Sequence, residues 1–160
     1  GERFTFEGRH YRVADSPALP KPVQEGGIPV IIGGAGAQRT PALAARFASE
    51  YNTPFLPVER FVEQRQRVID ACAAIGRDPS TIRFSAALVV CIGADEAELA
   101  RRAAAIGRQP DELRRNGVAG TPDEARATLA RWAEAGAERV YLQVLDLSDL
   151  DHLDAIAALL

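Results

Sequence analysis

The chain alternates between short apolar runs without polar interruption and longer stretches in which apolar residues recur every three or four positions. The first run, Pro29-Val30-Ile31-Ile32, leads directly into Gly33-Gly34-Ala35-Gly36, and a helical pattern follows from Thr40-Pro41 to Ser49. A strand with no polar alternation is expected to be buried on both faces, as in a parallel sheet covered by helices. Ile82 to Ile92 is a second such strand, almost wholly apolar from Ala86 onward, and Arg139 to Leu145 is the last. Glu50 to Thr53 is too short to identify by pattern, but its place between two helices predicts a strand there as well.

Between the strands the spacing is helical. Val58 to Ile75 places Phe61, Val68, Cys72 and Ile75 on one face, Gly76 ends it, and Asp78-Pro79 forbids its continuation. Asp95 opens the next helix as a cap with Glu98 three residues on, and Arg108 to Gly117 reads as a polar, basic insertion with a short helix around Pro110. Gly120-Thr121-Pro122-Asp123-Glu124 is the strongest helix start in the chain, with Thr121 as cap, Pro122 in first position and Glu124 closing a capping box. That helix ends at Gly136, and Ser148 caps a final one running through Leu160.

Ahead of all this, Arg3-Phe4-Thr5-Phe6 and His10-Tyr11-Arg12-Val13 flank Glu7-Gly8 as a β-hairpin, and Asp15 to Gly27 is an irregular, proline-rich connection. From Pro29 onward strands and helices alternate, which predicts parallel βα units in an open doubly wound sheet or part of a (βα)8 barrel. In both, the loops that follow the strands form the functional face. The helix starts at Gly33 to Thr40 and at Gly120 to Pro122 are expected to converge there.

The glycine loop is the chief chemical candidate. Glycines allow close approach of a ligand and leave N–H groups free for an anion, and a helix capped by Thr40 with Pro41 in first position would add its positive end. It is not a dinucleotide fingerprint, because Arg39 stands at the third glycine and Asn52 where the ribose-binding acid belongs, and no Gly-Lys-Ser/Thr of a P-loop is present. A tight turn and a phosphate seat both remain open. Arg39 suits a phosphate or a solvated helix start, and Asp146 at the end of the last strand suits a cavity wall or an exposed loop. His10 and His152, the only histidines, read as surface or helix-packing residues, and Cys72 and Cys91 as core thiols.

Composition adds mainly exclusions. With 160 residues, 47% hydrophobic and 26% charged, the chain has the make-up of one globular domain, and its net charge of −3 gives no reason to expect nucleic acid or a membrane as partner. No run is long enough to span a bilayer and no signal peptide is seen at the front, which makes the cytoplasm the default compartment. No residue pattern calls for a metal. The chain opens at Gly1 within what reads as a hairpin, which suits a tag remnant or the back half of a longer protein.

Five segments together carry a resemblance: Gly8-Arg9-His10-Tyr11-Arg12-Val13, Pro20-Lys21-Pro22-Val23-Gln24, Ile28 to Gly36, Gly76-Arg77-Asp78-Pro79 and Gly120 to Glu124. In this order they resemble the carboxyl-terminal half of luciferase-like monooxygenases, most closely the coenzyme F420-dependent oxidoreductases. The resemblance implies an α/β fold of the TIM (βα)8 barrel family. Residues 1–28 would form a hairpin and proline-rich insertion, and residues 29–160 the carboxyl-terminal half of the barrel, strands five to eight. It implies a deazaflavin, coenzyme F420, or alternatively FMN, at the top of the barrel, and hydride transfer to or from a small organic substrate. Gly33, Gly34, Ala35, Gly36, Arg39 and Thr40 would meet the cofactor's phosphate end, Asn52 would face the same cavity, and Gly120 and Thr121 would supply a second anchor. The catalytic residues would lie in strands one to four. The expected partner is therefore an amino-terminal half-barrel or a second copy of the chain, and this chain alone is expected to be inactive. An FMN-dependent monooxygenase and a non-catalytic half-barrel or proteolytic remnant are the alternative functions.

Overall fold

The computed structural model describes residues 3–159. At the front, β1 (Phe4–Glu7) and β2 (Arg12–Ser16) pair antiparallel. Their turn is closed by the Gly8 N–H donating to Tyr11 O at 2.9 Å, so His10 and Tyr11, expected in the second strand, form the turn instead. After the irregular connection come β3 (Ile31–Gly33), α1 (Arg39–Phe47), β4 (Glu50–Pro54) and α2 (Val58–Ala74). They are followed by β5 (Arg83–Ile92), α3 (Glu96–Ala105), α4 (Pro110–Asn116), β6 (Val118–Gly120), α5 (Pro122–Glu134), β7 (Arg139–Gln143) and α6 (Leu150–Ala157).

The five strands from β3 onward form a parallel sheet organised on β5. That strand pairs with β4 through Arg83 to Ala87, with β7 through Ser85 to Val89, and with β6 through Val90 to Ile92. Strand β3 pairs with β4 alone. The short β6 was not expected, because three residues are too few for any periodicity to register. One face of the sheet is covered by helices: Phe84, Ala86, Leu88, Val90 and Ile92 of β5 and Tyr51 of β4 pack with Ala44, Phe61, Val68, Cys72 and Trp132. Phe61 and Trp132 meet edge to face at 5.3 Å, joining α2 to α5. On the other face α3 and α4 cover only the carboxyl end, where Cys91 packs with Leu99, Ala103, Leu113 and Ala119.

Several expectations need correction. The first strand is not buried on both faces: Ile31 is 53% exposed and Val30 44%. Strand β3 lies at the edge of the sheet, and among the described residues only one of its faces meets a helix layer. On α2 the buried stripe is Phe61, Gln64, Val68 and Cys72, while Ile75 is exposed because the helix stops at Ala74 and Ile75 turns away as its C-cap. Helix α1 starts at Arg39 with Gln38 in the cap position, so Thr40 lies in the first turn and does not cap it. At α6 the cap is Asp149, whose carboxylate accepts from the His152 N–H at 2.9 Å, not Ser148; Leu160, expected at the end of that helix, is outside the described residues. The capping box of α5 forms as expected, with Thr121 Oγ1 accepting from the Glu124 N–H at 3.4 Å and Glu124 Oε2 from the Thr121 N–H at 2.7 Å.

Candidate functional site

The glycine loop leaves β3 at its carboxyl end, where a ligand-binding loop of a parallel sheet belongs. The Gly34 N–H donates to Asn52 O at 3.1 Å, and Gly34 takes φ +137°, a region in which side chains are strained. Its carbonyl accepts from the Tyr51 hydroxyl at 2.6 Å, and the next carbonyl, Ala35 O, accepts from Gln64 Nε2 at 3.2 Å. Gly36 lies against the first turn of α1 so closely that a Cβ there would come within 2.5 Å of Thr40 Oγ1. The helix start itself is bare: Gln38 makes no side-chain cap and no acid stands in the first turn, so its partial positive charge is not neutralised from within the helix. Arg39 is exposed at the same place, and no carboxylate among the described residues pairs with it.

Asn52 stands on the rung of β4 beside Gly33 and donates through Nδ2 to Ser85 Oγ at 3.0 Å. The structure thus brings Gly33 to Thr40 and Asn52 together. It does not bring Gly120 and Thr121 to them. Gly33 aligns through Asn52 with Ser85, whereas Gly120 aligns with Ile92, seven residues further along β5. At about 3.3 Å per residue the two levels are roughly 23 Å apart. The two helix starts thus leave the sheet at different levels, because β6 pairs only with Val90 to Ile92, beyond the level at which β3 ends. The Thr121 hydroxyl and N–H are also both engaged in the capping box.

A cavity of about 420 Å³ opens at the carboxyl ends of β4, β5 and β7, under α4. Phe55, Val89, Leu113 and Leu145 give it an apolar wall, Gln143 an amide, and Arg108 and Glu112 an ion pair at 2.7 Å. Sequence reasoning missed it, since its wall is assembled from four elements and its residues form no motif. At the opposite ends of the strands Glu50, 4% exposed, accepts from Arg139 and from the Tyr141 hydroxyl, each at 2.8 Å. That network ties β4 to β7 across β5.

His152 is buried, and its Nε2 accepts from the Ile92 N–H at 3.0 Å. Burial first, then the positive charge of Arg102, hold its pKa below the usual value. Arg102 in turn donates to Ile92 O at 2.6 Å and pairs with Asp149 at 2.9 Å. His152 therefore closes the end of β5 as a neutral acceptor. His10 is exposed in the hairpin turn, and Asp146 accepts from the Ser148 N–H at 2.9 Å, closing its own loop. Among the described residues no group of three or more His, Cys, Asp or Glu side chains is gathered as a metal site, and no helix is long and apolar enough to cross a membrane.

The family model described as luciferase-like monooxygenase matches residues 1–139. Among solved structures, an F420-dependent secondary alcohol dehydrogenase in complex with an F420-acetone adduct is similar with a TM-score of 0.83 at 15% identity, over 99% of this chain and 55% of that one. An EDTA monooxygenase from Chelativorans sp. BNC1 is similar with a TM-score of 0.72 at 20% identity, over 99% of this chain and 49% of that one. A riboflavin lyase with modified FMN and riboflavin as substrate has a TM-score of 0.69 at 16% identity, over 98% of this chain and 48% of that one. At such identities the likeness is one of fold, and the chain spans about half the length of these structures.

Proposed function

Since the chain belongs to the luciferase-like monooxygenase family, we propose that it is part of an oxidoreductase that anchors a deazaflavin or flavin by its phosphate at Gly33 to Thr40 and acts on a small organic substrate. The observation that carries this reading is the pairing of the glycine loop with a helix start that has neither a side-chain cap nor an acid in its first turn. The residues fit a phosphate. Exposed loop N–H groups and the first turn of α1 can donate to it, Thr40 presents a hydroxyl beside Gly36, and Arg39 offers a guanidinium that pairs with no carboxylate among the described residues. Bound there, a deazaflavin supplies hydride transfer, and a flavin supplies oxygen activation. Asn52 extends the site by one strand, and the apolar cavity under α4 is the place proposed for the substrate or ring end. Thr121 is assigned a capping role and Gly120 the role of leaving room for the Glu124 carboxylate, and neither is assigned as a second anchor.

The same reading makes residues 1–28 an insertion and residues 29–160 strands five to eight of a (βα)8 barrel. Supporting it are the unpartnered outer flanks of β3 and β7 among the described residues, and the share of the similar structures that the chain spans. An amino-terminal half-barrel, or failing that a second copy, would complete the wall and bring the catalytic residues. Coenzyme F420 is proposed over FMN because the five resembling segments are most similar to the F420 subgroup. The test is to purify the intact protein, record the absorption of whatever cofactor accompanies it, and titrate it with F420 and FMN. A deazaflavin spectrum, with tighter binding of F420, is expected. A flavin whose reduced form reacts with oxygen would favour the monooxygenase reading, and no affinity for either cofactor would overturn the proposal.

A further inference from the structure

Behind the glycine loop lie two polar side chains that anchoring alone does not account for. Tyr51 and Gln64 are each 0% exposed, on β4 and α2, in a layer that is largely apolar. Burial of this kind is costly unless the polar atoms are satisfied, and a phenylalanine and a methionine would occupy similar space without that cost. Their polar ends aim at one target. The Tyr51 hydroxyl reaches Gly34 O at 2.6 Å, Gln64 Nε2 reaches Ala35 O at 3.2 Å, and the hydroxyl lies 3.3 Å from Gln64 Oε1. Burial pushes the Tyr51 pKa up to about 12, so the hydroxyl keeps its proton, and its role as donor, at ordinary pH.

The consequence follows from peptide geometry. In a planar trans peptide the carbonyl and the following N–H point in opposite directions. Both peptide bonds here are trans, so drawing the carbonyls of Gly34 and Ala35 inward turns the N–H groups of Ala35 and Gly36 outward. Both of those residues are exposed, and neither N–H has a backbone acceptor among the described residues. Without the two buried donors, either peptide could flip and present a carbonyl oxygen to the anion.

We infer that Tyr51 and Gln64 are positioning residues that fix the loop with two N–H donors facing outward, and that they thereby set the preference of the site for the phosphorylated over the phosphate-free form of its cofactor. This rests on reading the loop as the phosphate seat. The test measures, in the intact protein, dissociation constants for FMN against riboflavin and for F420 against its phosphate-free deazaflavin alcohol. Tyr51→Phe and Gln64→Met should each cut the preference for the phosphorylated form by about tenfold, the effect of one good hydrogen bond, and leave affinity for the phosphate-free form within about twofold. Thermal unfolding identifies any variant that fails to fold, and the other variant then carries the comparison. Folded variants with the full wild-type preference would overturn the inference. So would equal loss of both forms, which is the signature of a purely structural role. If the wild type itself shows no preference for phosphate, the anchoring reading fails first and this inference falls with it.

Discussion

At Gly34 and Gly36 the same residue type is required for two different reasons. Gly34 has room for a side chain, since a Cβ there would find its nearest neighbour, Thr40 Cγ2, at 3.5 Å, but its φ of +137° is hostile to one. Gly36 has the opposite problem, with Thr40 Oγ1 at 2.5 Å and Thr40 Cβ at 3.3 Å from the same position. Gly34→Val should therefore cost on the order of 1–3 kcal/mol in stability through the backbone. Gly36→Val should be relieved in large part by adding Thr40→Ala. In the double variant, denaturant unfolding is expected to return toward the wild type while cofactor affinity stays weak, because the loop backbone remains shielded. Recovery of affinity along with stability would place the anion elsewhere. His152 supplies a second residue-scale outcome. Its pKa is depressed in the folded state, so the stability gained by keeping it neutral is complete above about pH 6.5 and is lost as pH falls through that value toward the folded pKa. The carboxylates of Asp149, Asp146 and Glu98 oppose the depression without reversing it, and Asp149, itself held low chiefly by its hydrogen bond to Arg102, gives up its share only in more acid solution. The urea midpoint should fall between pH 7 and pH 5, and His152→Gln, which keeps an acceptor but cannot titrate, should flatten that slope. An unchanged slope would assign the pH dependence to other groups.

Among the elements, α5 shows what a local signal can and cannot say. Its capping box was legible because cap and partner stand three residues apart, and Thr121→Ala should cost about 1 kcal/mol in thermal or urea unfolding. Since the cap lies far from the glycine loop, the extra stability conferred by added cofactor should be the same in the variant as in the wild type. A reduced cofactor effect would return Thr121 to the binding site. Strand β5, helix α2 and the end of α2 at Gly76 were legible for the same reason, since composition, period and punctuation are all local, whereas β4 was inferred only from its place between two helices. What was not legible depends on distant neighbours. The exposure of Ile31 depends on what stands beside β3, and nothing within the run Pro29 to Ile32 records that. The cavity under α4 joins residues as far apart as Phe55 and Leu145. Nothing local marks Tyr51 and Gln64, because their partners lie 17 and 29 residues away in the glycine loop.

For the molecule as a whole, the sheet is covered on one face and open over much of the other, with Ile31, Tyr141 and Leu145 exposed there. Edge strands with free backbone groups invite pairing, and a face of this kind is normally covered. The chain taken alone should therefore self-associate and fail to turn over substrate. Sedimentation or scattering mass, measured with hydride-transfer activity before and after adding a separately produced front half, checks both statements, and an active monomer would point to a complete smaller fold. Within the sheet, β5 also acts as a ruler. Ser85, which holds Asn52 beside the loop, and Val89, which walls the cavity, lie on the same face of β5 four residues apart, or about 13 Å along a rigid strand flanked on both sides. A molecule held at both places has to be elongated, with its anion at one end and its apolar body at the other. A compact phosphate ester seated in the loop would leave the cavity empty, and an apolar compound confined to the cavity would leave the loop untouched.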